Sequence, residues 1–300
     1  MLKLSLIIPV YNEERHIRAC LDAVASQTVM PTEVIVVDNN CTDHSIEIAR
    51  GYDFVTIIQE PRQGRGNART AGFNNASGDI IGRIDADSRI HSDWAAKVIQ
   101  RFESDSELAG LTGMSYTPFI PFVVSVRTTL YSRAYYWFAH AAFDTITMWG
   151  ANMAVRRSNW QKVAGKVILD DSKVHEDQDV SLWIAGQGGK IVQDNSLLMT
   201  TDEQSYQYLP KLLHYAHLYE STKSIHKKNG NLTSPKLRRQ GFLSTLPGRL
   251  GAYLLGIPLF IISFALFPAY YFYFRKKNGS ITTATIPSKQ VANRSGTSLK

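Results

Sequence analysis

The sequence predicts an α/β protein with a doubly wound, mostly parallel sheet, flanking helices and a hydrophobic membrane segment near the C-terminus. Short apolar runs, typical of strands buried on both faces, alternate with helical patterns from residue 4 to residue 84. Polar residues follow several of these runs. A run of 25 uncharged residues separates Arg249 from Arg275. With 300 residues and 44% hydrophobic content, the chain can bury a sizeable core.

Strand and helix alternate regularly along the first part of the chain. The predicted elements are strand 4–10, a helix through Ile17, Leu21 and Val24, strand 34–37, helix 45–50, strand 54–59, a helix from Gly64 to Asn75, and strand 80–84. Further patterns predict helix 93–102, strand 108–116, a strand within 149–157 and a helix that starts near residue 176.

Two carboxylates, Asp85 and Asp87, follow the predicted strand 80–84 and are separated by one small residue. In open α/β sheets, ligands bind beyond the carboxyl ends of the strands. Hard oxygen ligands at that place suit Mg²⁺ or Mn²⁺ carrying a diphosphate. The triplet therefore predicts a metal-assisted phosphate site.

Polar residues also end the first two strands. Asn12 and Glu13 follow strand 4–10, and Asp38 follows strand 34–37. Asp43 is placed to be the N-cap of helix 45–50, whereas Asp38 lies too far before that helix to cap it. A contact to a nucleotide base or ribose is therefore favoured for Asp38.

A glycine-rich stretch, Gly64-Arg65-Gly66, follows the third strand. A dinucleotide-binding fingerprint follows the first strand, so this position argues against a Rossmann dehydrogenase. Glycine here also suits a tight turn, and the sequence leaves its role open.

Basic residues concentrate after residue 210 and lie on both sides of the uncharged run, which indicates attraction to an anionic membrane surface and not to nucleic acid. The net charge is +7. The two cysteines, Cys20 and Cys41, show no paired spacing, so a reducing compartment is expected. The N-terminus enters a strand without a signal-peptide pattern, and we expect a membrane protein whose catalytic domain lies on the cytoplasmic face.

Several motifs in order carry a family resemblance. These are VYNEE after the first strand, VVDNNCTD after the second, GRGNAR at the third helix, the Asp85-Ala86-Asp87 triplet, and a later Glu176-Asp177 pair. Over roughly residues 4 to 200 the chain resembles the inverting family-2 glycosyltransferases of the GT-A fold. The resemblance implies a glycosyltransferase that binds a UDP- or GDP-sugar in its N-terminal half and takes part in cell envelope glycan synthesis.

The resemblance also implies roles for individual residues. Asn12, Glu13 and Asp38 would contact the base and ribose, Arg69 would lie near the diphosphate, Asp85 would contact ribose or share the metal, Asp87 would bind the metal, and Asp177 would be the catalytic base. Two positions depart from the family pattern. Asn39 replaces a second acid after strand two, and Arg83 places a charge in the strand before the triplet.

Acidic residues cluster at the start of the helix near residue 176. Glu176 and Asp179 are interpreted as acids of the first helical turn, where they meet the positive end of the helix. A direct displacement at the anomeric carbon needs one base on the acceptor side, because a metal assists departure of the nucleoside diphosphate. Asp177 matches the family's acid and is the predicted base.

The predicted organisation is a catalytic domain over 1–230, with a nucleotide-sugar half at about 1–115 and an acceptor half at about 116–230. A basic linker (231–249), a transmembrane or re-entrant segment (250–274) and a polar tail (275–300) follow. As a helix, residues 250–274 would be about 37 Å long, which is enough to cross a bilayer core. Residues 118–143 suit either an interfacial amphipathic segment or a core helix. The anchor suggests a lipid-linked acceptor.

Two other functions stay open at this point. A sugar-1-phosphate nucleotidyltransferase also uses an α/β sheet with a metal-held diphosphate, but its glycine-rich phosphate loop would be expected after strand one. The second is a non-catalytic, membrane-tethered nucleotide-sugar-binding protein with a decayed site, and the residues that argue against decay are Asn12, Asp38, Asp85, Asp87 and Asp177. Release of nucleoside diphosphate, release of pyrophosphate, or neither, separates the three functions.

Overall fold

The computed structural model describes residues 1–115, 143, 145–201, 209–237, 254 and 258. The strands are β1 (Leu4–Val10), β2 (Glu33–Asp38), β3 (Val55–Gln59), β4 (Ile80–Ile84), β5 (Ser88–Ile90), β6 (Leu108–Ser115), β7 (Asn152–Arg156) and β8 (Lys190–Thr201). The helices are α1 (Ile17–Ala25), α2 (Ser45–Arg50), α3 (Arg65–Asn75), α4 (Trp94–Ser104), α5 (Arg157–Val163), α6 (Glu176–Gly186) and α7 (Leu209–Lys228).

The N-terminal strands form the parallel part of the sheet. β1 pairs with both β2 and β4, and β2 pairs with β3, all in parallel. β1 is buried along almost its whole length because helices cover both faces of the sheet. The predicted doubly wound arrangement of this region is confirmed.

The sheet as a whole is mixed, with the strand order β3-β2-β1-β4-β7-β6-β8-β5. β7 runs antiparallel to both β4 and β6, and β5 runs antiparallel to β8. Only the β6–β8 pair is parallel in this half. Four of the seven pairings in the described sheet are parallel, so the prediction of a mostly parallel sheet holds for the first four strands and for the β6–β8 pair but misses the antiparallel pairings of β7 and β5. Apolar periodicity identifies a strand but not its direction or its partner.

Each face of the sheet carries its own core. On one face, α1, α2 and α4 contribute apolar side chains that include Leu21, Ile46 and Val98. On the other face, α3, α5 and α6 contribute side chains that include Phe73, Trp160 and Ile184. The two layers of helices cover both faces of the sheet. The ends of the strands therefore remain as the place where a ligand can bind.

Most predicted elements agree with the structure to within one or two residues. The N-cap of α2 is His44 and not the predicted Asp43. Asp43 lies one residue before the N-cap and still accepts a hydrogen bond from the Ser45 backbone N–H at 3.0 Å. The beginning of the predicted basic linker packs on the body of the protein, where Asn231 bonds His226 at 2.7 Å and Leu237 is buried.

The predicted interfacial segment (118–143), membrane segment (250–274) and polar tail (275–300) lie outside the described residues, apart from three isolated positions. Within the described part of the chain, none of the helices combines the length and the apolar character needed to cross a membrane.

Candidate active site

The polar residues predicted to bind the donor lie at one edge of the sheet. β2, β1 and β4 are adjacent and parallel, so the residues that follow them are brought together beyond their carboxyl ends. We call this set the donor edge. Its members are Asn12, Glu13, Asp38, Asp85 and Asp87.

The loops after β1 and β2 are tied to each other by hydrogen bonds. Asn12 adopts a left-handed backbone (φ 54°), and its Oδ1 accepts the Thr42 N–H at 2.8 Å. The Glu13 N–H donates to Ser45 Oγ at 2.7 Å. The Glu13 carboxylate pairs with His16 Nδ1 at 2.8 Å. The donor edge is therefore held in shape by the protein itself.

Asp38 and Asn39 have different surroundings. Asp38 is half-buried, and its Oδ1 accepts the Cys41 N–H at 2.9 Å. Asn39 is buried, donates to the Glu60 and Arg62 carbonyls at 2.9 and 2.8 Å, and accepts the Gly64 N–H at 2.9 Å. Asn39 therefore holds the β3–α3 loop, and Asp38 is the accessible acid of the pair. This explains why an amide serves at the second position.

Asp85 and Asp87 are the carboxylates of the predicted metal site. The Asp85 side chain is 44% exposed, and Asp87 is half-buried. Desolvation raises the pKa of Asp85, and Arg83 opposes this effect. Burial raises the pKa of the Cys20 thiol, and the charges of Asp87 and Asp85 raise it further. Both carboxylates therefore lie near the buried Cys20 thiol.

The Asp85–Asp87 pair suits a cation whose remaining ligands come from the substrate and from water. Among the residues with described positions, none of the His, Cys, Asp and Glu side chains form a group of three or more that could hold a metal ion. Mg²⁺ and related hard cations on phosphate substrates commonly take one or two carboxylates from the protein and the rest from phosphate and water. Asp85 and Asp87 supply that number.

The glycine-rich stretch allows two distant parts of the chain to pack closely together. Asp171 accepts the N–H groups of Arg65 and Gly66 at 2.5 and 2.9 Å. Gly64 has φ 141°, which side chains rarely adopt, and a β carbon on Gly66 would lie 3.0 Å from the Leu169 carbonyl oxygen. The glycines allow the loop before α6 to approach the start of α3.

Arg69, which the resemblance implies would lie near the diphosphate, is fully buried. Its Nη1 donates to the Glu176 carbonyl at 2.7 Å and to Glu176 Oε2 at 3.1 Å. Arg69 is therefore tied to the start of α6, and its place near the diphosphate stays a prediction.

Arg83 lies on the opposite side of the same glutamate. Its Nη1 donates to Glu176 Oε1 at 2.5 Å, and its Nη2 donates to Asp85 Oδ1 at 3.0 Å. Glu176 lies in the first turn of α6 as expected, and it is also held by two arginines, which was not predicted from the sequence. The sequence signal for this contact was a charged residue in an otherwise apolar strand.

Asp177 lies at the start of α6 and is almost buried, with 6% of its side chain exposed. Its Oδ2 accepts the Gly150 N–H at 2.8 Å, and its Oδ1 contacts His175 Nδ1. Burial by itself would raise the pKa of Asp177, but His175 and the Gly150 N–H lower it far below its ordinary value. Asp177 is therefore ionised at neutral pH.

His175 and Asp179 were not recognised as paired residues from the sequence. Burial lowers the pKa of His175, but Asp177 raises it above its ordinary value. Asp179 is fully buried and bonds His226 of α7 at 2.8 Å, so it joins two helices instead of only meeting a helix terminus. We call Glu176, Asp177, Asp179 and their partners Arg69, Arg83, His175 and His226 the acceptor-side cluster.

The sequence and the fold were compared with known proteins. The model of the glycosyl transferase family 2 matches residues 5–158, which is half of the chain. Glycosyltransferase AglE of Haloferax volcanii is 44% identical over 97 residues, which are 30% of this chain and 32% of that protein. The chain thus spans about a third of the length of this relative.

Solved structures share the fold at low sequence identity. A mannosyltransferase of Pyrobaculum calidifontis, in complex with GDP-Man and Mn²⁺, has a TM-score of 0.61 and 20% identity, over 93% of this chain and 76% of that one. The glucosyl-3-phosphoglycerate synthase of Mycobacterium tuberculosis, in complex with Mn²⁺ and UDP, has a TM-score of 0.55 and 16% identity, over 75% and 78%. The mixed α/β sheet is that of the GT-A glycosyltransferases. The chain belongs to glycosyl transferase family 2.

Proposed function

We propose that this enzyme transfers a sugar from a UDP- or GDP-sugar to a hydroxyl or phosphate acceptor with inversion at the anomeric carbon. The observation that carries this proposal is the short chain of contacts between the donor edge and Asp177. Asp85 contacts Arg83, Arg83 contacts Glu176, and Asp177 is the next residue. A donor-binding carboxylate and a candidate base are thus close neighbours, as a single displacement requires.

The donor edge would bind the nucleotide sugar. Asn12, Glu13 and Asp38 would contact the base and ribose, and Asp85 would contact the ribose or share the cation with Asp87. The two structural neighbours are complexes with Mn²⁺ together with GDP-Man or UDP. This supports Mg²⁺ or Mn²⁺ as the cofactor. When bound, the cation would neutralise charge on the diphosphate leaving group.

Asp177 would act as the base. Its ionised carboxylate takes the proton of the acceptor hydroxyl while the acceptor oxygen attacks the anomeric carbon. The bond from that carbon to the diphosphate oxygen breaks, and the electron pair leaves with the nucleoside diphosphate. One displacement from the opposite face inverts the configuration. No second carboxyl group is needed, unlike in glycoside hydrolysis.

A ligand screen tests this function. Sugar nucleotides that bind the folded state should raise the melting temperature in the presence of Mn²⁺, and the rise should increase with the logarithm of their concentration above the dissociation constant. The stabilising donor should then give nucleoside diphosphate and a product of inverted configuration by NMR. A retained configuration would contradict inversion. Release of pyrophosphate from a nucleoside triphosphate would instead support a nucleotidyltransferase, and binding without turnover a non-catalytic protein.

We also propose a lipid-linked or membrane-proximal acceptor reached from the cytoplasmic face. The support is the uncharged run 250–274 and the basic residues on both sides of it. Truncation after residue 240 keeps every contact described up to Leu237 and should release much of the protein into the soluble fraction. Unchanged membrane association would shift the anchoring role to residues 118–143 or to a partner.

A further inference from the structure

Arg83 is a charged residue in a buried strand, where a charge is energetically unfavourable. It lies in β4, where all five residues are buried, and only 4% of its side chain is exposed. Moving a charge out of water costs several kcal/mol in proteins unless it is paired and hydrogen-bonded. An aliphatic residue would fill the same strand position without this cost. The contacts of the guanidinium therefore need an explanation.

The guanidinium of Arg83 reaches both sides of the candidate active site. One nitrogen, Nη2, donates to Asp85 on the donor edge at 3.0 Å, and the other, Nη1, donates to Glu176 at 2.5 Å. The backbone of Gly150 lies against it, because a β carbon there would be 2.7 Å from Nη1. The Gly150 N–H in turn donates to Asp177.

Arg69 shows that neutralising Glu176 does not by itself require Arg83. Arg69 already pairs with Glu176 and is fully buried. A second arginine on one glutamate leaves an excess positive charge, and Asp85 balances it. Among the described residues, the Arg69 guanidinium hydrogen-bonds Glu176 and Thr70, whereas that of Arg83 hydrogen-bonds Glu176 and Asp85, so the two arginines share one partner and differ in the others.

We propose that Arg83 is a positioning residue that fixes Asp85 on the donor edge relative to Gly150 and Asp177 on the acceptor side. This assignment rests on the proposed function of Asp85 and Asp177. The planar guanidinium suits the task because its N–H groups point in fixed directions to two carboxylates at once. A lysine keeps the charge but cannot hold both carboxylates in the same geometry.

The test compares Arg83→Lys with Arg69→Lys and Arg156→Lys. Each variant keeps its charge and loses a guanidinium. Arg156 lies on β7 and donates only to the carbonyls of Phe102, Asp105 and Leu108, so it controls for the loss of a partly buried arginine from the sheet. Melting temperature, kcat and KM for the donor, and stabilisation by Mn²⁺ with UDP or GDP are measured for each.

Arg83→Lys should lower kcat by about 10- to 100-fold and weaken stabilisation by Mn²⁺ with nucleoside diphosphate, the range seen when residues that orient metal-site ligands are replaced. Arg156→Lys should leave both unchanged. Arg69→Lys should lower the melting temperature with a smaller loss of kcat than Arg83→Lys. Equal losses of kcat and of ligand stabilisation in the two variants would overturn the assignment and leave a purely structural role.

A second variant covers the case in which Arg83→Lys does not fold. Gly150→Ala places a methyl group against the guanidinium without removing any charge. It should also lower kcat by about tenfold or more. A kcat within about threefold of wild type would overturn the assignment. If the wild-type protein is neither stabilised by Mn²⁺ with UDP or GDP nor active on any sugar nucleotide, the proposed function fails instead.

Discussion

The acidic side chains of the donor edge are more exposed than those of the acceptor-side cluster. On the donor edge, Asp38 and Asp85 are partly exposed, and Asp38 is oriented by a backbone N–H group. In the acceptor-side cluster, Glu176 and Asp177 are almost fully buried and are paired with arginine or histidine. Substitutions of Asp38 or Asp87 should therefore change ligand binding at little cost in stability, whereas those in the cluster should change both.

The largest expected effect is on the donor edge. Asp87→Asn should abolish metal-dependent turnover, because an amide is a poor substitute for a carboxylate on Mg²⁺ or Mn²⁺. The melting temperature should stay within about 2 °C of wild type, since the side chain is only half-buried. Donor turnover with and without chelator measures this. Full activity of the variant in the presence of a chelator would show that the metal assignment is wrong.

The next effect is on stability, inside the cluster. Glu176→Gln leaves two buried arginines without their shared carboxylate, and breaking a buried ion pair in this way costs about 3–5 kcal/mol. Urea unfolding should show this loss. Glu47→Gln is the matched control, since Glu47 pairs with His44 at the surface, where both side chains are over three-quarters exposed. Equal unfolding midpoints for the two variants would contradict the expectation.

Asp177→Asn tests the cluster's role in the reaction. We expect kcat to fall on the order of 10²-fold or more, which is the usual contribution of a positioned base. Donor binding should persist, because the donor edge is intact. Transfer assays and calorimetric titration with the donor separate the two. Near-normal transfer would exclude Asp177 as the base and make Glu176 and Asp179 the next candidates.

The smallest expected effect is the contribution of the His175–Asp177 pair to the pH dependence of stability. The folded-state pKa of His175 is raised above 6.5, so its contribution is complete below pH 6.5 and is lost as the pH rises through the folded value. The pKa of Asp177 is lowered below 3.8, so its contribution is present above pH 3.8 and is lost as the pH falls through the folded value.

The pair should therefore be most stabilising between pH 3.8 and 6.5. Unfolding curves of wild type and His175→Asn across pH 4 to 9 would show this, because the variant lacks the titrating imidazole. Arg65 and Glu176 also act on His175, in opposite directions, and remain in both proteins. A parallel decline in both proteins would assign the pH dependence to other groups.

The donor edge could be predicted from the sequence more fully than the acceptor-side cluster. The donor edge follows from local patterns, because each residue comes directly after an apolar strand and parallel strands end at one edge. The first four strands and the start of α6 were predicted for this reason. The antiparallel position of β7 between β4 and β6 was not, since it depends on pairing between strands far apart in the chain.

The acceptor-side cluster rests on contacts that periodicity does not encode. Arg83 and Glu176 are 93 residues apart, and Arg69 and Glu176 are 107 apart. Glu176 and Asp179 look like ordinary helix-start acids until their partners are known. The buried contact of Arg69 with Glu176 was not predicted for the same reason, because the motif around Arg69 does not indicate the direction of its side chain.

The contact of Asp171 with the start of α3 limits how the enzyme can hold a phosphate. The N-terminus of a helix is often an anion site, because its free N–H groups and dipole attract negative charge. Here the Arg65 and Gly66 N–H groups already bind a carboxylate of the protein. A phosphate would have to displace Asp171 to bind at the start of α3, so the diphosphate of the proposed donor would need its countercharge from another group, such as the proposed cation.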